Sequence, residues 1–189
     1  EIYQVSNPPQ PSANADIPGG QVMRVEIDAK GKNPWDKGAN AKTQVKTKAG
    51  DVLVAAFWAR ATQLPAGASS TELPYAIQQM SGDYTQYKTA TATVTDKWNQ
   101  YFIYGTLTDK AKKGTIGLAV HLAGAEHTIA LGPVLLMNMG KGEVDPAAMP
   151  RNTNGQRAGL SVPMTTQSAS LSPSVPAALQ SDYDAVKKN

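Results

Sequence analysis

Polar and apolar residues alternate along "QVMRVEID" (residues 21–28). Val22, Arg24, Glu26 and Asp28 fall on one side and Met23, Val25 and Ile27 on the other, the pattern of a half-buried strand. "GDVLVAAFWARA" (50–61) is more apolar, yet it still sorts by parity. Leu53, Ala55, Phe57 and Ala59 form a core face; Val54, Ala56, Trp58 and Arg60 form the other. "YKTATATVT" (87–95) is rich in Thr and Val and reads as strand. "KWNQYFIYGTLT", "KGTIGLAVHLAG" and "HTIALGPVLLMNMG" follow, each after a turn, and a weaker strand is expected over 76–80. No stretch before residue 145 offers three clean turns of helical periodicity. Short strands punctuated by Gly, Pro and Asp turns through residue 140 predict an all-β sandwich.

The two ends differ from this middle. Residues 1–20 hold four prolines and little periodicity, so an extended arm is expected, with one edge strand at 2–5. After residue 145 the chain turns rich in Ser, Pro, Thr and Asn. Residues 146–189 read as linker or wrapping tail, with a short helix near 175–188 capped by Ser174. The sandwich domain is thus expected over 21–145.

Composition removes several classes of function. The 189 residues carry a net charge of +3 and no cysteine, so disulfide scaffolds, thiolate zinc sites and cysteine nucleophiles are excluded. Lys110, Lys112 and Lys113 group at a turn, where a solvated loop explains them better than a nucleic-acid patch with interleaved aromatics. No apolar run approaches the ~20 residues that span a bilayer, so neither nucleic acid nor membrane is an expected partner. No signal peptide is visible, and the chain, opening at Glu1 rather than Met, reads as a processed or excised piece.

Catalytic signatures are missing as well. There is no Gly-x-Ser-x-Gly elbow, phosphate loop or dinucleotide fingerprint. His121 and His127 stand six apart, which fits neither helical metalloprotease nor zinc-finger spacing. Glu26 and Asp28 read as a solvated strand face rather than a glycosidase pair, and turn chemistry accounts for most other Asp residues.

The aromatic residues say more. Trp35, Trp58, Tyr84 and Tyr104 lie in or beside strands and turns rather than in one apolar stripe. Sugar rings present C–H bonds that pack on Trp and Tyr, and their hydroxyls bond to Arg, Gln, Asn and His. Trp58 and Arg60 supply both contacts on one face, although a covered core is an equal reading for Trp58. In "IGLAVHLAG" the small and polar face of Gly117, Ala119 and His121 suits a groove floor. Trp98 reads as a core tryptophan, and Trp35 either serves a site or caps a sandwich end.

With "NPWD", "AGDVLVAAFWARA", "VTDKWNQYFIYG" and "HTIALGPVLLMNMG" in this order, the chain resembles jelly-roll carbohydrate-binding modules. These are the galactose-binding-like sandwiches attached to glycoside hydrolases, such as family 10 xylanases, and to other polysaccharide-degrading enzymes. The likeness spans residues 22–150. It implies a non-catalytic module, secreted or periplasmic, that binds polysaccharide or oligosaccharide and is joined to a catalytic domain. It matches Trp58 and Arg60 at "FWAR"; His121, Trp35, Tyr84 and Tyr104 complete the expected binding residues. Many relatives hold a structural calcium with an early Glu and an Asp in the last strand. Gly132 and Pro133 stand where that acid belongs, which argues against calcium, and no other cofactor is expected. Two rival readings are a spacer sandwich that never touches sugar, and a hydrolase or lyase in its own right.

Overall fold

The computed structural model describes residues 1–17 and 19–142, and the backbone of 160–163. Eleven strands and one 3-10 turn appear among them. β1 (Ile2–Tyr3), β4 (Gly38–Lys42), β9 (Ile116–His121), β6 (Thr71–Gln79) and β7 (Gln86–Val94) form a five-stranded sheet in the order β1-β4-β9-β6-β7. The second sheet has the order β11-β8-β5-β10-β3-β2, with β11 (Leu160–Pro163), β8 (Asn99–Thr106), β5 (Asp51–Gln63), β10 (His127–Lys141), β3 (Gln21–Ile27) and β2 (Gln10–Ala13). Every pairing is antiparallel, and the two sheets face each other as a jelly-roll β-sandwich.

Strand parity fixes what lies between the sheets. Leu53, Ala55, Phe57 and Ala59 of β5 meet Leu73, Tyr75 and Ile77 of β6 and Ile116, Leu118 and Val120 of β9 in one core. Phe57 sits at its centre, with its ring centroid 5.1 Å from that of Tyr75 and 5.4 Å from that of Tyr101. Both tyrosine hydroxyls donate to carbonyls, Tyr75 to Phe102 at 2.9 Å and Tyr101 to Thr93 at 2.8 Å. Burying those hydroxyls therefore leaves no unpaired polar atom. His127 is held the same way: its Nε2 donates to the Leu122 carbonyl at 2.9 Å and its Nδ1 accepts from Thr71 Oγ1 at 2.8 Å. A carbonyl only accepts, which fixes the proton on Nε2.

The N-terminal arm is part of both sheets. β1 completes an edge of one sheet and β2 an edge of the other, with β2 paired to β3 from Gln10↔Arg24 to Ala13↔Gln21. The weak strand expected at 76–80 begins earlier, at Thr71. Cross-strand pairing with β7 outweighs the polar punctuation of its first residues. The tail helix expected near 175–188 lies outside the described residues; of the tail, β11 alone is described, paired with β8.

Candidate functional site

The outer face of the five-stranded sheet has a floor of small residues. Asn40↔Ala119↔Ala76 run across β4, β9 and β6 in one row, and Lys42↔Gly117↔Gln78 in the next. The side chains opposite in parity, Leu118, Val120 and Ile77, enter the core. Gly117 is required there, because a Cβ would fall 2.0 Å from the Ala41 carbonyl oxygen. Above this floor lies a cleft of about 780 Å³ with Tyr3, Trp35 and Tyr84 as aromatic walls and Asn40, Gln78 and His121 as polar contacts. Lys42 and Gln86 border it as well.

Two built turns carry the exposed aromatics. Trp35 stands on the 3-10 turn Pro34–Asp36. The Asp36 carboxylate accepts from the Asn33 backbone N–H at 2.8 Å and from Asn33 Nδ2 at 3.3 Å. Those bonds, the backbone one first, hold the Asp36 carboxyl below its ordinary range. The segment is also sewn to the end of β9 through Gly31 N–H to Ala123 O (2.8 Å), Ala123 N–H to Pro34 O (3.0 Å) and Leu122 N–H to Lys37 O (2.8 Å). Trp35 is left 57% exposed, with its ring edge-on to His121 at 6.2 Å. Across the cleft Tyr84, 56% exposed, occupies the turn between β6 and β7. Asp83 shapes that turn by accepting from Thr85 N–H and Oγ1, at 3.2 and 2.7 Å.

Backbone strain collects at the same place. Gln4 (φ 57°) and Tyr84 (φ 55°) are the non-glycine residues in the left-handed region among those described, and both line the cleft. Such a conformation costs on the order of 1–2 kcal/mol per residue and clusters at ligand sites. The Asn40 side-chain oxygen is buried without a hydrogen-bond donor. Burial pulls the His121 imidazole below its ordinary value, so it is neutral at pH 7 and offers one donor and one acceptor. Lys42 is paired with Glu1 at 2.9 Å.

Trp35, Tyr84 and His121 thus come together at one cleft, while Trp58, Arg60 and Tyr104 lie on the other sheet. Trp58 does not border an open groove. It is 8% exposed and packs with Ile17, Val22, Trp98 and Ala130. The β2–β3 connection closes over it, its bend held by Gly20 N–H to Ile17 O at 3.0 Å. Gly132 permits that closure, since a Cβ there would meet Ile17 Cδ1 at 2.6 Å and Trp58 Cβ at 2.8 Å. Arg60 lies over the Trp98 ring at 5.3 Å from its centroid, so its charge is spent on a cation–π contact. Tyr104 is half-buried on β8 beside Val54, on the outer face of that sheet. Asn40, Gln78, Tyr3 and Lys42 escaped the sequence reading. Their signal was the parity of "GANAK" and "PYAIQ", where polar ends share a face with Gly or Ala, as in "IGLAVH".

Neither a protein-family model nor a curated protein sequence matches the chain. Solved structures do match its shape. A family 4 carbohydrate-binding module superposes at a TM-score of 0.52 with 19% identity, over 65% of this chain and 74% of that one. The second N-terminal cellulose-binding domain of Cellulomonas fimi beta-1,4-glucanase C gives 0.50 and 18%, over 75% and 85%. The N-terminal cellulose-binding domain of the same glucanase gives 0.51 and 16%, over 76% and 88%. The fold is that of these carbohydrate-binding modules. At such identities the likeness is one of fold, and the module's ligand has to be argued from its own residues.

Proposed function

We propose that this chain is a non-catalytic carbohydrate-binding module whose site is the cleft on the outer face of the five-stranded sheet. The observation that carries the reading is the convergence of Trp35, Tyr84 and Tyr3 on one cleft with Asn40, Gln78, Gln86 and His121. The aromatic rings cover the C–H faces of a sugar ring. Asn40, Gln78, Gln86 and a neutral His121 supply donors and acceptors at fixed places, the usual composition of a small-ligand site. The strain at Tyr84 and Gln4 fits a site formed before its ligand arrives, which lowers the ordering cost of binding.

The same residues argue against an enzyme. Asp36, the carboxylate beside Trp35, is held ionised by Asn33 and is unsuited to protonate a leaving group. Attachment to a polysaccharide-degrading catalytic domain and a secreted or periplasmic setting complete the reading.

Affinity electrophoresis of the chain through gels cast with soluble polysaccharides tests it. Retardation by at least one polysaccharide, without release of reducing ends or unsaturated products, is expected. No retardation by any of a panel of neutral and acidic polysaccharides returns the chain to a spacer role.

A further inference from the structure

β10 is longer than its neighbour. β3 pairs with it from His127 to Leu131, a bulge at Gly132 and Pro133 follows, and from Val134 to Lys141 its pairing is with β5. Among the described residues no strand lies along its other side there. A free sheet edge presents unpaired N–H and C=O groups, and proteins blunt such edges with brevity, proline, lysine or cover. The other edges of this sandwich are blunted: β1 has two residues, β2 has four including Pro11, β11 has four ending in Pro163, and β7 carries Lys88 among threonines.

The β10 edge is not. No charged residue occurs between Glu126 and Lys141. Val134, Leu135, Met137 and Met139 are each 40% to 60% exposed. Val45, 53% exposed, faces them across a groove of about 540 Å³ between β10 and the chain after β4. By parity Val134 and Leu136 lie on the core side of the sheet and Leu135, Met137 and Met139 on the outer side. A strand added here therefore has to be apolar on both faces, and "VLLM" is such a strand.

We propose that β10 pairs antiparallel with β10 of a second copy about a two-fold axis at Leu136, joining the two six-stranded sheets. The axis stands perpendicular to the sheet, so core-side residues meet core-side residues only if it passes through a residue position. Leu135 of each copy then lies opposite Met137 of the other, and Leu136 opposite its own equivalent. Pro133 and Met139 bound the paired stretch, and Lys141 lies beyond it. Such pairing uses up the edge on both copies and closes the assembly as a dimer rather than a fibre. The exposed apolar surface is on the order of 400 Å² per copy, about the largest patch a monomer leaves open. With the backbone edge included, the dimer buries on the order of 1,000 Å², the lower limit for a specific interface.

Sedimentation equilibrium over about 1 to 500 µM tests this. The mass is expected to rise to twice that of the chain, and Leu135→Lys to raise the dissociation constant by at least ~100-fold through like charges at a paired edge. Met139→Lys, at a more exposed position, serves if Leu135→Lys lowers the melting temperature. Because the chain lacks cysteine, oxidised Leu136→Cys is expected to form a covalent dimer while Thr106→Cys, at an exposed position at the end of β8, does not. The cleft lies on the other sheet, so the affinity of each site for a soluble oligosaccharide, read by calorimetry, stays unchanged in these variants. A chain that is monomeric at the highest concentration overturns the proposal, as does a dimer indifferent to both lysines or equal cross-linking by both cysteines.

Discussion

Replacing Trp58 with alanine separates the two roles that its sequence context allowed. At 8% exposure nearly the whole ring is buried against Ile17, Val22, Trp98 and Ala130. A Trp covers about 150–250 Å², which at about 25 cal/mol per Å² amounts to roughly 4–6 kcal/mol as an upper bound. Core Trp→Ala changes cost about 3–5 kcal/mol once the cavity is included. Against a domain stability of about 5–15 kcal/mol this is a large fraction. At about 2–4 °C per kcal/mol for a chain of this size, the melting temperature falls by roughly 8–16 °C. Urea denaturation followed by far-UV circular dichroism measures the loss, expected as a lower midpoint with an unchanged slope. Affinity for a retarding polysaccharide, read at a temperature where the variant is folded, stays within about twofold, because the ring lies on the sheet opposite the cleft. A variant that keeps its stability and loses its sugar refutes this reasoning and puts the ligand at "FWAR".

Three further outcomes follow from the same geometry. Gly132→Ala pushes a methyl group into Ile17 and Trp58 and is expected to cost about 1–3 kcal/mol, with a red-shifted tryptophan emission as the β2–β3 connection lifts; an unshifted spectrum contradicts it. Tyr84→Gly relieves a left-handed backbone position, so stability is unchanged or rises by up to about 1 kcal/mol while affinity drops about tenfold or more; equal losses of both oppose that account. Burial lowers the folded-state value of His121 and His127, so the unfolded chain binds protons first and stability declines as pH falls below about 6.5. The limiting slope is about 1.4 kcal/mol per pH unit for each histidine, and His127→Gln should remove its share; denaturation curves at pH 7 and pH 5 with the same difference in both proteins count against it.

Strand parity was legible wherever one face is buried against one core. The split of β5 into Leu53, Ala55, Phe57 and Ala59 against Val54, Ala56, Trp58 and Arg60 is the split observed, and so is the small face of β9. What parity leaves open is whether the second face is covered. Trp58 and Arg60 share the outward side, yet Ile17, forty-one positions earlier, and Trp98, forty later, close over them. Those contacts are set by how the arm folds back through β2, and the prolines around residues 8–11 gave a short-range reading no hint that 10–13 pair with β3. The cleft was half legible for a related reason. His121 and its small neighbours announce a floor within one strand, whereas Asn40, Gln78, Trp35 and Tyr84 reach it only through the β4-β9-β6-β7 order. The long apolar tail of β10 reads as a buried strand, although among the described residues half of it has one neighbour.

The central claim is that the five-stranded sheet, through Trp35, meets the sugar. With 57% of Trp35 already in water, its truncation costs the fold little beyond roughly 1–2 kcal/mol, while a pyranoside covering one ring face gains about 2 kcal/mol from area and ring packing. Calorimetric titration of the native chain and Trp35→Ala with the polysaccharide that retards the native chain most is the direct measurement. The account predicts about 30-fold weaker binding by a folded variant; unchanged affinity in a folded Trp35→Ala contradicts it.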